Sequence, residues 1–210
     1  MRVSNYQKEQ DGYFVKHILT PYLSSVYFGL IARTNKDYLG CKKTKQYLNM
    51  PELIGDRIVR QMNANGDERI DHDEFVKFFL KLLMGSLEQK MLIAFRVYDV
   101  DGDENISDEE VKIVLRNIPL KYEERYGNSF SKDQSRSSYL VHKNEDNVQI
   151  EKFLDVLFKD YGDGMYFDEF QKLCTEVTSE LFLCVYNCIY QYVPCVKNFL
   201  LLRENYFQYL

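Results

Sequence analysis

Apolar residues recur at helical spacing through most of this chain. Leu23, Val26, Tyr27, Leu30 and Ile31 share one face just after Thr20-Pro21, which predicts a helix with Thr20 as N-cap and Pro21 in the first turn. Residues 1–19 mix polar and aromatic groups and predict no firm element. Ile54, Ile58, Val59 and Met62 form the next face, on a helix predicted to start near Asn49 with Glu52 completing a capping box. Phe75, Phe78, Phe79, Leu82 and Leu83 follow, with Val76, Leu80 and Met84 on a second stripe of the same helix. A helix apolar on two faces is buried on two sides. The second side is either core or a groove for a partner helix. Gly85 ends that helix, and Ser86 with Gln89 opens the next. The spacing then continues through Leu87, Met91, Ala94, Phe95 and Tyr98, and through Val111, Val114, Leu115 and Ile118. From about 119 to 147 the pattern gives way to a polar stretch rich in Ser, Lys, Asn and Asp, which predicts an exposed insertion. Helical spacing returns at Ile150, Phe153, Leu154, Leu157 and Phe158, then at Phe170, Leu173 and Val177. The last thirty residues carry Leu181 to Val193, Pro194, Phe199 to Leu202, Tyr206 and Phe207, more apolar surface than a free tail tolerates. That tail either folds back into a groove of its own chain or is covered by a partner.

The polar gaps between these helices are as patterned as the helices. Asp99-Val100-Asp101-Gly102-Asp103-Glu104-Asn105-Ile106-Ser107-Asp108-Glu109-Glu110 places oxygen side chains at positions 1, 3, 5 and 9 and a Glu at position 12. That is the ligand spacing of a calcium-binding helix-loop-helix, in which position 7 offers its carbonyl and the closing Glu binds with both oxygens. The candidate ligands are Asp99, Asp101, Asp103, the Asn105 carbonyl, Ser107 and Glu110. Ile106 at position 8 is expected to pair with a neighbouring loop. Glu104 stands at position 6, where glycine is wanted for a left-handed turn, at a cost of about 1 kcal/mol. Asn63 to Glu74 repeats the spacing with Asn63, Asn65, Asp67, the Arg69 carbonyl, Asp71 and Glu74, and again a Glu, Glu68, at position 6. Fewer carboxylates there mean weaker binding, so this loop is a second candidate calcium site. His72 lies outside the ligand pattern and is expected at the surface.

Two further gaps are degenerate. Residues 35–46, framed with Gly40 at position 6, put Leu39 at position 5, Lys42 at 8 and Gln46 at 12, a loop that has lost the ion. Asp160 to Phe170 resembles the second half of such a loop, about one residue short if Glu169 closes it, so Asp160 and Asp163 cannot both be ligands. It is expected to pair with the third loop and to hold no ion.

Composition narrows the function classes. A net charge of -5 argues against nucleic acid as the main partner. Five cysteines without paired spacing fit free thiols in a reducing, cytoplasmic setting. Cys184, Cys188 and Cys195, with no nearby His, make a poor zinc set. Met1-Arg2 opens neither a secretory signal nor a myristoylation site, and Leu181 to Val193 is too short to span a membrane and contains Asn187 and Gln191. No nucleophile–His arrangement or Gly-rich phosphate loop is found in the sequence, so no catalysis is expected.

These residues resemble the calcineurin B family, which includes neuronal calcium sensors and calaxin. Asp56-Arg-Ile-Val-Arg60, and Gly85-Ser-Leu-Glu-Gln-Lys-Met91 leading into Ala94-Phe-Arg-Val-Tyr-Asp99, are most similar to the calaxin branch. The resemblance covers about residues 22–180. It implies an all-α EF-hand fold of two lobes, one over 22–84 and one over 86–180, with 1–21 as an N-terminal extension and 181–210 as an apolar helical tail. It also implies a calcium-responsive adaptor for a helical, coiled-coil or cytoskeletal partner, with axonemal dynein docking in a cilium as the setting. A constitutive structural subunit of such an assembly and the regulatory subunit of a calcineurin-like phosphatase are the alternatives. The family's phosphatase subunit has four ion-binding hands and a myristoylation site, and this chain departs from both.

Overall fold

The computed structural model of the chain describes residues 10–34, 36–118, 148, 150–162, 164–177, 180–199 and 203. Among these residues, helices joined by short loops form four helix-loop-helix units that pair two by two. The first pair meets through β1 (Leu39–Gly40) and β2 (Arg69–Ile70), antiparallel with Leu39 opposite Ile70. The second meets through Ile106 and Met165, which exchange two main-chain hydrogen bonds of 2.9 Å. Leu39, Ile70, Ile106 and Met165 are all fully buried. Each polar loop therefore turns one bulky apolar residue inward, and the amide and carbonyl beside it are satisfied by the partner loop rather than left bare. This is the all-α EF-hand fold.

The first helix begins earlier than the sequence predicts. Residues 10–14 are already helical and run through a π-helical turn, Val15–Leu19, into α1 (Thr20–Ile31). Thr20 is thus not an N-cap. Its main-chain N–H reaches back five residues to the Val15 carbonyl, and its hydroxyl donates to the same oxygen at 2.8 Å. The wide turn lies immediately before Pro21, which has no N–H and whose ring crowds the carbonyl four residues back. Helix α2 (Cys41–Leu48) follows β1, and Asn49 ends it in the left-handed conformation with φ 53°. The next helix, α3 (Glu52–Met62), starts after Pro51 with no side-chain cap, so the Asn49–Glu52 capping box does not form. Proline keeps the residue before it out of the helical region, and this delays the start.

Helices α4 (His72–Met84) and α5 (Leu87–Tyr98) meet at Gly85, where an added Cβ would run into the Lys81 carbonyl. The Ser86–Gln89 capping box is present, with bonds of 3.2 and 3.0 Å. Beyond the third loop come α6 (Asp108–Asn117), α7 (residues 150–157), a 3₁₀ turn Phe158–Asp160, and α8 (Phe167–Lys172), which runs on as a π-helical turn Leu173–Val177. The polar stretch at 119–147 lies outside the described residues, as do Leu202, Tyr206 and Phe207.

The described part of the apolar tail, residues 180–199, folds back onto its own chain. Helix α9 (Glu180–Tyr192) buries Leu181, Val185, Cys188 and Ile189, and α10 (residues 194–199) buries Cys195, Val196 and Phe199. Each large side chain buried this way is worth about 1.5–3 kcal/mol against exposure. Three hydrogen bonds fix the path. The Tyr98 hydroxyl donates to Leu181 at 3.0 Å, Tyr186 donates to Leu82 at 3.1 Å, and Tyr22 donates to Cys195 at 3.4 Å. Phe199 also meets Phe14 edge-on, with ring centres 6.2 Å apart. The tail therefore touches α5, α4 and α1 in turn, so it contacts both lobes. No described helix is long and apolar enough to cross a membrane.

Candidate metal centre

The third loop begins where α5 stops. Asp99 is the C-cap of that helix and is 5% exposed. Its carboxylate accepts the Gly102 amide at 2.7 Å, Asp101 accepts from Asp103 at 3.2 Å, and Asp103 accepts from Asn105 at 2.9 Å. These short side-chain-to-backbone bonds coil the loop, with Gly102 at φ 87° and Glu104 at φ 68°. Glu104 does take the left-handed turn that the sequence assigns to position 6, and Glu68 does the same in the second loop at φ 60°.

The coil brings one carboxylate oxygen from each of Asp99, Asp101 and Asp103 within 4.8 Å of one another. Glu110, in the first turn of α6, closes the ring. One of its oxygens accepts the amides of Val100 and Asp101 at 2.7 and 3.2 Å, and the other accepts the amide and hydroxyl of Ser107 at 2.9 and 2.8 Å. Ser107 is the N-cap of α6, so its hydroxyl is committed to the cap and to Glu110. Asn105 turns its side chain to the fourth loop, where a Cβ on Gly164 would come within 2.6 Å of it. Only the Asn105 main chain is thus offered to the third loop.

The donor set fits a hard divalent cation. Every group is oxygen, and metal–oxygen bonds of roughly 2.3–2.6 Å would set opposed ligand oxygens about as far apart as these carboxylates lie. Burial is the main cause that raises the Asp99 pKa, and the charge on Glu110 adds to it. The Gly102 amide and Arg57 act in the other direction. The gathered negative charges disfavour one another until a positive charge joins them.

Arg57 is the residue that sequence reasoning missed. It is carried by α3 and is 9% exposed. Its guanidinium donates to the carbonyls of Arg96 at 3.2 Å, Val100 at 2.9 Å and Asp99. Burial lowers its pKa first and Arg60 adds to this, while Asp99, Glu110 and Asp101 oppose. A signal was present in the sequence. Arg57 sits three residues after Ile54 and one before Ile58, a charge inside the apolar stripe of its helix.

The second loop repeats the scaffold with fewer charges. Asn65 accepts from Asp67 at 3.0 Å, Asp67 from Arg69 at 2.9 Å, and Asp71 caps α4 by accepting from Glu74 at 2.8 Å. Glu74 spans the loop, accepting from Ala64 at 3.1 Å, Asn65 at 3.3 Å and Asp71 at 3.1 Å. Asn63, at position 1, keeps a buried Oδ1 with no hydrogen-bond partner. The Arg69 side chain lies over the Tyr38 ring, 4.7 Å from its centre. His72, expected at the surface, is half-buried: it stacks on Phe28 with ring centres 5.2 Å apart and meets Ser24 Oγ at 2.9 Å. Among the described residues, three acidic side chains gather closely enough to hold an ion only in the third loop.

The other two loops need a new frame. Leu39 pairs with Ile70, which is position 8 of the second loop, so Leu39 is itself position 8. The first loop therefore runs from Ala32 to Lys43, not from 35 to 46, and ends in a lysine. Buried Leu39 sets this register, because Lys42 could not take its place in the core. Met165 pairs with Ile106 in the same way, which frames the fourth loop as Phe158 to Glu169. It is a full twelve residues, not one short, and has Phe158 at position 1. Glu169 accepts the Tyr166 amide at 2.9 Å, and Asp163 lies outside the described residues.

No protein-family model matches the chain. Individual proteins do. Calmodulin-like protein 2 of Arabidopsis thaliana is 37% identical over 73 residues, 34% of this chain and 48% of the relative. Calaxin of Xenopus laevis is 39% identical over 70 residues, 33% of this chain and 34% of the relative. The calcineurin B protein of Naegleria gruberi is 28% identical over 149 residues, 67% of this chain and 72% of the relative. This chain is an EF-hand protein resembling the calcineurin B and calaxin proteins. It spans less than half the length of the first two relatives. The longer, weaker match to a calcineurin B extends over two thirds of both chains.

Proposed function

We propose that this EF-hand protein is a calcium-responsive adaptor without catalytic activity. The observation that carries the reading is the ring of Asp99, Asp101 and Asp103, within 4.8 Å and closed by Glu110. Calcium is held there by these four carboxylates and by the Asn105 carbonyl, with Ser107 orienting Glu110. The second loop, with Asn63, Asn65, Asp67, the Arg69 carbonyl, Asp71 and Glu74, is the weaker site. The orphaned Asn63 oxygen supports it, and its three carboxylates against four in the third loop weaken it.

The partner is a helix or coiled coil that competes with α9 and α10 for the surface shared by α1, α4 and α5. Similarity to calaxin favours a cytoskeletal, axonemal partner such as a dynein docking assembly. The extensive burial of the tail also supports a second reading, a constitutive structural component whose loops are only scaffolds. Calorimetric calcium titration with magnesium present, beside the Glu110→Gln variant, separates them. One site lost in the variant is the adaptor's result. No binding at millimolar calcium is the scaffold's.

A further inference from the structure

We propose that Arg57 is a positioning residue that sets the calcium affinity of the third loop from the second hand. The inference rests on the reading that the third loop binds calcium. It starts from an unfinished helix end. When α5 stops at Tyr98, its last carbonyls lose their helical partners. The Phe95 carbonyl is still served by the Asp99 amide at 2.9 Å. The Arg96 carbonyl is not served by Val100, because that amide has turned to Glu110 at 2.7 Å. Arg57 takes up the carbonyl instead and adds those of Asp99 and Val100. The Val100 residue is therefore held from both sides: Glu110 holds its N–H and Arg57 its carbonyl.

This arrangement ties the first two positions of the loop to α3. The Asp99 carboxylate faces the acidic ring while its carbonyl is anchored on the guanidinium. A planar fork of five donors can serve several carbonyls at once, which an ammonium cannot. Gln61, one turn further along α3, adds a bond to the Ile93 carbonyl at 3.2 Å, so the helices are joined at two points. The same helix is C-capped by Asn63, position 1 of the second loop. That is six residues, about 9 Å of helix, from Arg57. One rigid element thus carries the start of the second loop and holds the start of the third. Any coupling between the loops along α3 acts equally in both directions.

Two effects of Arg57 oppose each other. Its charge repels a cation, and its three hydrogen bonds hold the ligands in place. We take the second to be larger, because removing the side chain leaves three carbonyls without this donor and frees the position-1 main chain. Partners that orient metal ligands are typically worth about 10–100-fold in affinity.

The test is calcium calorimetry on full-length wild type, Glu110→Gln, Arg57→Met and Arg57→Lys. Glu110→Gln identifies the third-loop heat. Arg57→Met is expected to weaken that site about tenfold without changing its stoichiometry. Arg57→Lys keeps the charge and loses the fork, so it too is expected to weaken the site several-fold, and it decides the matter alone if the Met variant does not fold. Unchanged or tighter binding in both Arg57 variants, with a normal wild type, overturns the role of Arg57 and leaves the calcium reading standing. A wild type without a Glu110-dependent site overturns the calcium reading, and the Arg57 inference with it.

Discussion

Glu68 and Glu104 occupy a backbone conformation that favours glycine, with φ at 60° and 68°. For a residue with a side chain this costs roughly 1–2 kcal/mol, partly offset in a glycine variant by the larger entropy of its unfolded chain. Glu104→Gly is therefore expected to stabilise the calcium-free protein by about 0.5–1 kcal/mol, read as a higher urea midpoint at constant slope. An unchanged or lower midpoint would show that the loop relaxes around Glu104 at no cost. These two residues were legible in the sequence because the oxygen ligands fix the frame of their loops, so position 6 can be counted. The first and fourth loops were misframed for the converse reason. With Lys43 in the closing position of one and Phe158 at position 1 of the other, no ligand pattern marks the start. The frame is set by burial of Leu39 and Met165, a tertiary fact. The charge of Arg57 inside an apolar stripe was legible, but not what it holds, because its partners are main-chain carbonyls, which no motif records.

At the scale of elements, the tail is where sequence and structure differ most in what they tell. Its apolar content was plain, but whether it met its own chain or another was not, since periodicity gives a face and not its neighbour. The structure puts α9 against α5 and α4 and α10 against α1, with Val185 and Ile189 fully buried. Ile189→Asp places an unpaired charge in that contact, which is worth several kcal/mol of destabilisation. The tail should leave while the paired hands persist. The expected result is increased binding of an apolar dye with most of the helical circular dichroism retained. Unaltered dye binding would mean that the tail does not cover an apolar surface.

The buried thiols of the tail give a second test of the same element. Burial raises the pKa of Cys188 and of Cys195 from 9.0 to about 12. The folded protein therefore keeps these protons after the unfolded chain has lost them. Their contribution to stability is complete below pH 9 and declines as pH rises toward about 12. Each thiol adds about 1.4 kcal/mol per pH unit to the slope within that window. Cys195→Ala is expected to lessen the alkaline loss measured by urea unfolding at pH 8, 9 and 10. A slope equal to wild type would place Cys195 in contact with solvent.

For the whole molecule, the question is whether calcium and the tail act on one another. Tyr98, the last residue of α5, donates to the tail at Leu181, and Asp99, the next residue, stands at position 1 of the third loop. A change in how α5 meets α6, were the loop to close on an ion, would therefore be felt where the tail begins. In the adaptor reading, calcium weakens the tail's hold and opens its surface to a partner helix. The thiol of Cys188, buried in α9, reports that opening. Site-resolved alkylation of the full chain should be slow at Cys188 in chelator and several-fold faster in calcium, with the acceleration absent in Glu110→Gln. Tail release lowers the competition against an added partner, so the same calcium range should govern partner capture. Equal labelling rates in calcium and chelator, with calcium bound, would mean that the third loop fills without moving the tail. The constitutive component would then be the better account, and its partner would bind whatever surface α9 and α10 leave uncovered.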